Sequence, residues 1–84
     1  MEIKILGVGC ANCKRLESIA RQVVAEMGVE ATITEVTDMA DIVSHDIVTT
    51  PGLVINDKVV SSGRVPGKAE VTTFVANALA GESE

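Results

Sequence analysis

The chain is 84 residues long, enough for one domain with a modest core. Its 46% hydrophobic content, carried by Ile, Val, Leu and Ala with Phe74 as the one aromatic, excludes a disordered chain. The net charge of −5, with seven scattered basic residues and no basic cluster, excludes phosphate-led binding to nucleic acid or to an anionic membrane.

Residues 1–6 alternate as a strand, with Ile3 and Ile5 on one face and Lys4 and Leu6 on the other. This run is too short for a signal peptide, and no apolar run reaches the length of a bilayer span. A cytoplasmic protein is therefore expected. In that compartment a close cysteine pair reads as catalytic or metal-binding, not as a structural staple. Gly7 and Gly9 then predict a tight turn. Cys10 and Cys13, the two cysteines of the chain, follow directly. From Cys13 onward Leu16, Ile19, Ala20, Val23, Val24 and Met27 recur at the period of an amphipathic helix over 14–27, with Gly28 as its stop.

Residues 30–36 alternate and are rich in β-branched side chains, which predicts a second strand. Two strands joined by a helix pair in parallel through a right-handed crossover. Thr37 or Asp38 suits the N-cap of a short second helix ending near His45 and Asp46, with Met39, Ile42 and Val43 on one face. Met27 and Met39 read as core residues. Thr49-Thr50-Pro51-Gly52 leads into Leu53-Val54-Ile55, a strand apolar on both faces, with proline where no ladder donor is needed. Asn56-Asp57 predicts a hairpin turn, and residues 58–62 return as a fourth strand. After a connector at 63–67, Val71, Phe74, Val75, Ala78 and Leu79 predict a helix over 68–80 ended by Gly81. Residues 82–84 read as a frayed tail.

The expected order is β-α-β-α-β-β-α. It gives an α/β fold in a single domain over 1–81. One mixed four-stranded sheet carries the first and last helices on one face and the middle helix on the other.

The chemistry of the chain rests on Cys10 and Cys13. The residues alone leave three readings open: a redox dithiol, a soft-metal site, or two small core residues. A thiolate, not a thiol, attacks a disulfide. A helix N-terminus and a Cys-x-x-Cys spacing lower a thiol pKa from about 8.5 to roughly 3.5–7.5. Cys13, one turn into the helix, is near enough to close a disulfide with Cys10. The rival is soft-metal binding. The segment Gly7-Val8-Gly9-Cys10-Ala11-Asn12-Cys13 is similar to the Gly-Met-x-Cys-x-x-Cys loop of heavy-metal-associated domains, which hold Cu(I) with two thiolates. Those domains run β-α-β-β-α-β and end on a strand. A structural zinc site is disfavoured, because only His45 adds to the two cysteines. Lys4 either lies beneath the thiols or carries its amine out to solvent, the commoner outcome. His45 is expected to end the second helix and bond locally.

Gly7-Val8-Gly9-Cys10-Ala11-Asn12-Cys13, Thr50-Pro51-Gly52-Leu53-Val54-Ile55-Asn56-Asp57 and Ser61-Ser62-Gly63-Arg64-Val65-Pro66 together resemble the thioredoxin and glutaredoxin superfamily. Within it they look like the small prokaryotic thioredoxin-like proteins sometimes called redox-active disulfide protein 2. The resemblance spans nearly the whole chain. It implies a thiol-disulfide oxidoreductase that reduces protein disulfides. Cys10 would be the nucleophile, Cys13 the resolving thiol and Pro51 a cis-proline facing them, with Thr50 offering its backbone to substrate. No cofactor is implied beyond the Cys10–Cys13 disulfide itself. The implied partners are disulfide-containing proteins and an upstream reductase; neither nucleic acid nor membrane is expected, and a monomer suffices. The surface around Cys10, Thr50, Pro51 and Gly63 is then expected to form a shallow platform where an extended segment adds by β-augmentation, with Val8, Ala11 and Val65 as its rim. Four positions depart from the wider family. Gly9 stands where tryptophan is frequent, and Ala11-Asn12 replaces Gly-Pro. Lys4 stands where typical thioredoxins carry a buried aspartate. Ser62-Gly63-Arg64-Val65-Pro66 replaces the Gly-Gly-x-x-Asp stretch that holds glutathione in glutaredoxins.

Overall fold

The structure, a computed structural model, describes residues 1–8, 11–45, 47 and 49–82. In chain order the elements are β1 (Glu2–Leu6), α1 (Ala11–Met27), β2 (Thr32–Val36), α2 (Met39–Ser44), β3 (Gly52–Ile55), β4 (Lys58–Ser62) and α3 (Lys68–Glu82). The strands form one sheet in the order β2-β1-β3-β4. β1 and β2 are parallel, Glu2 opposite Thr32 and Leu6 opposite Val36. β3 runs antiparallel to both β1 and β4. The expected α/β arrangement is the one observed.

Side-chain alternation divides the core between the two faces of this sheet. Ile3, Ile5, Leu53 and Ile55 meet Leu16, Ala20 and Val23 of α1 and Val71 and Val75 of α3. On the opposite face Leu6 and Val54 meet Ile42 of α2 and Ile47 beyond it. β3 contributes to both, and all four of its residues are buried. Each fully buried aliphatic side chain here stabilises the fold by about 1.5–3 kcal/mol relative to exposure.

α1 begins at Ala11, ahead of the apolar pattern that announces it, and takes Cys13 into its first turn as expected. Two expectations about the helices need correction. α3 runs through Gly81 to Glu82, because an exposed glycine in a last turn weakens a helix without ending it. Met39 and Val43 are not core residues: they are 59% and 61% exposed, and only Ile42 of their face is buried. The six-residue α2 is too short to turn three apolar residues onto the sheet. It is held by Ile42 and by its cap, where Asp38 Oδ1 accepts from the backbone N–H of Ala40 at 2.8 Å and of Asp41 at 3.4 Å. His45 closes α2 with its Nδ1 2.8 Å from the Asp41 carbonyl oxygen. A carbonyl only accepts, so that ring nitrogen carries the proton.

The β3–β4 turn places Asn56 and Asp57 at φ 49° and 67°, which suits a tight hairpin. Asn56 also fastens the hairpin tip to the start of β1. Its N–H donates to the Glu2 carbonyl at 2.8 Å, and its Oδ1 accepts from the Glu2 N–H at 2.9 Å. Register slips between Leu53–Ser61 and Val54–Val59, which leaves Val60 as a bulge on the edge strand β4. Lys4 Nζ lies 3.3 Å from Glu2 and 3.7 Å from Asp57. Its amine is thus drawn toward the hairpin tip, away from the Gly7 end of β1. Among the described residues no helix is long and apolar enough to cross a membrane.

Candidate active site

The C-terminal ends of β1 and β2, the N-terminus of α1 and the approach to β3 meet at one end of the sheet. Gly7 extends the β1–β2 ladder, donating its N–H to the Val36 carbonyl at 3.0 Å. Cys13 is 3% exposed and packs with Leu16 in the core beneath α1. Its Sγ fills the space that a side chain on residue 7 would need: a Cβ built on Gly7 overlaps that sulfur and stands 3.9 Å from Thr50 Cβ. Gly7, Cys13 and Thr50 therefore converge on one point. The sequence signals a turn at Gly7; the structure gives it the further role of making room for sulfur. Cys10 and Gly9 lie outside the described residues.

Thr50 is exposed and Pro51 buried, and the peptide bond between them is cis. The Gly63 N–H donates to the Pro51 carbonyl at 3.0 Å. Gly63 has φ 78°, and a Cβ on it would stand 2.7 Å from Thr49 Oγ1, so the loop after β4 lies directly on the segment before β3. Val8 is 60% exposed. Ala11 is exposed at the start of α1, and Val65 is half-buried, packed against the core under α3.

The α2 side of this region holds residues that the sequence reading did not include. Val8 and Thr50 line a shallow groove of about 380 Å³ together with Met39, Ile42, Val43 and Ile47. The available signal was the Met39–Val43 spacing of one helical turn on a helix too short to bury both. Among the described residues, three of the four large exposed hydrophobics, Val8, Met39 and Val43, line this groove.

Two charged pairs flank the site. On α1, Glu17 lies one turn beyond Cys13 and 3.4 Å from Arg21. Its carboxyl is held below the ordinary range, first by a hydrogen bond with Glu35 and then by Arg21 and Lys14. Glu35, opposite Ile5 on β2, is pushed up by the same hydrogen bond and by the negative charge of Glu17. On the other side, Arg64 Nη1 and Nη2 donate to Glu70 Oε1 and Oε2 at 3.0 and 2.7 Å. This fork lowers the Glu70 carboxyl and raises the Arg64 guanidinium.

A thioredoxin domain family model matches residues 1–76. The chain is 38% identical over 76 residues to a thioredoxin of Methanothermobacter thermautotrophicus, covering 90% of this chain and 99% of that protein. It is 32% identical over 80 residues to a thioredoxin of Methanocaldococcus jannaschii, covering 95% of this chain and 92% of that one. Its fold is similar to that of thioredoxin 1 from the thermophilic eubacterium Thermosipho africanus, with a TM-score of 0.64, 15% identity and complete coverage of both chains. The superfamily resemblance of the three sequence segments is borne out. The chain belongs to the thioredoxin domain family, and at that general level it is a thiol-disulfide oxidoreductase.

Proposed function

We propose that the chain reduces protein disulfides through a dithiol formed by Cys10 and Cys13, within a thioredoxin-like domain over 1–81. The observation that carries this reading is the burial of Cys13 against Gly7 beside Thr50. A sulfur so enclosed is a poor first attacker and a suitable resolving thiol. Cys10 attacks one sulfur of the substrate disulfide as the thiolate. A mixed disulfide forms and the other substrate sulfur leaves as a thiolate that takes up a proton. Cys13, losing its proton, then attacks Cys10 Sγ. The second substrate sulfur is released, the substrate has gained two electrons, and Cys10–Cys13 is left as the disulfide. An upstream reductase returns the two electrons.

Substrate binds as an extended segment on the platform of Thr50, Pro51, Gly63, Val8, Ala11 and Val65. Exposed Thr50 offers backbone groups to such a segment, and the apolar groove along Met39 and Val43 extends the platform toward α2. Lys4, occupied by Glu2 and Asp57, takes no part. Soft-metal transfer through the same thiolates is the less favoured reading, because β2 is followed by helix α2 and not by a further strand.

The test is Cys13→Ser with a disulfide-bonded peptide. A stable mixed disulfide on Cys10 is the expected product. Trapping on Cys13 in the reciprocal Cys10→Ser protein, with none on Cys10, reverses the roles. Stoichiometric Cu(I) binding without a reversible disulfide sinks the redox reading.

A further inference from the structure

The loop at 63–67 joins β4 to α3 and forms one wall of the proposed platform. It meets the segment before β3 through the Gly63 N–H on the Pro51 carbonyl and through the close approach of Gly63 to the Thr49 side chain. The residue after Gly63 is Arg64. Its guanidinium is held in a two-bond fork by Glu70, and Oε1 of Glu70 also reaches the Gly67 N–H at 3.5 Å. Gly67 precedes α3 and its carbonyl accepts from the Val71 N–H at 3.0 Å, so Glu70 stands where a capping-box glutamate stands. One carboxylate thus grips both ends of the loop.

Side chains of Arg64 and Glu70 are 54% and 49% exposed, so solvent screens the pair and its net contribution to folding is small. A bidentate guanidinium–carboxylate fork is nevertheless strict in geometry. A contact that adds little stability but fixes position is suited to holding Gly63 at one height above Thr50 and Pro51.

We propose that Arg64 and Glu70 are positioning residues that set the wall of the substrate platform at Gly63, and so govern the affinity for extended protein disulfides but not the thiol chemistry. This rests on the proposed function. Glu70→Gln keeps size and one acceptor but sets an amide donor against a guanidinium donor, which breaks the fork. Arg64→Met keeps the stem and removes the fork entirely.

The experiment compares the parent, E70Q, R64M and the double variant on a disulfide-bonded peptide and on 2-hydroxyethyl disulfide, which is too small to reach the loop. KM for the peptide is expected to rise about fivefold in each single variant, with kcat within about twofold, and to rise no further in the double variant, since both substitutions remove one unit. Turnover of the small disulfide stays at the parent level. Hydrogen exchange at the Gly63 amide quickens by a similar factor in all three variants. An unchanged or additive KM, or equal losses on both substrates, overturns the proposal, as does unchanged Gly63 exchange. If the parent turns over neither disulfide, the proposed function fails instead, and Gly63 exchange still decides whether the fork holds the loop.

Discussion

Cys13 Sγ occupies the volume that any side chain on residue 7 would claim. Gly7→Ala forces the sulfur, the strand or α1 to move. A destabilisation of about 1–3 kcal/mol is expected, as for overpacking in a close-packed core. Urea unfolding of the reduced protein measures it. The same variant should form the Cys10–Cys13 disulfide more slowly, read by quenched thiol counting. A stability within experimental error of the parent would show that the neighbourhood yields freely.

Much of the fold was legible because the chain is locally consistent. Ile3/Ile5 against Lys4/Leu6 gave both faces of β1, and Leu53-Val54-Ile55 announced a strand covered on both sides. The hairpin was readable from Asn56-Asp57. What escaped was set by length and by through-space fit. The apolar spacing of Met39, Ile42 and Val43 says that a helix has an apolar face, not that a six-residue helix buries only its middle member. The α2 wall of the groove was missed for that reason. The reason for Gly7 lies in a sulfur one helical turn beyond the following loop, which local turn propensity does not encode.

The Glu17–Glu35 pair makes its own largest contribution to stability in the weakly acidic range. Glu35 has its pKa raised, so its contribution is complete below its unfolded value and is lost as pH rises through the folded one. Glu17 has its pKa lowered, so its contribution is present above its unfolded value and is lost as pH falls through the folded one. Between the two, one carboxyl donates to the other while Arg21 and Lys14 face the remaining charge. Glu35→Gln supplies a donor at every pH and should abolish the decline on the alkaline side only. Urea midpoints followed from acid to neutral pH test this; a parallel offset of the whole profile would sink it.

Asn56 is fixed by its φ of 49° and by two bonds to Glu2. Asn56→Ala loses the Oδ1 acceptor and puts an alanine in the left-handed region, at a cost of about 2 kcal/mol. Asn56→Gly loses the acceptor but not the conformation, and should cost about half as much. Thermal or urea unfolding ranks the two. Equal losses would assign the whole effect to the side-chain bond.

Val8 and Met39 line the groove together with Thr50 and are largely exposed. Val8→Asp or Met39→Asp should leave stability within about 0.5 kcal/mol of the parent, as at ordinary surface positions. If substrate covers them, each should raise KM for a peptide disulfide by about tenfold, the cost of desolvating an unpaired carboxylate against apolar walls. Unchanged KM in both would confine the platform to the Gly63 side.

The bulge at Val60 has a consequence for how copies of this chain meet. β4 is an outer strand, and its free backbone groups are a template for further pairing. On either side of Val60 the ladder is out of step with itself. A straight strand laid along this edge can match the donors and acceptors at one end only, so the β4 side of the sheet has a built-in obstacle to growing from molecule to molecule.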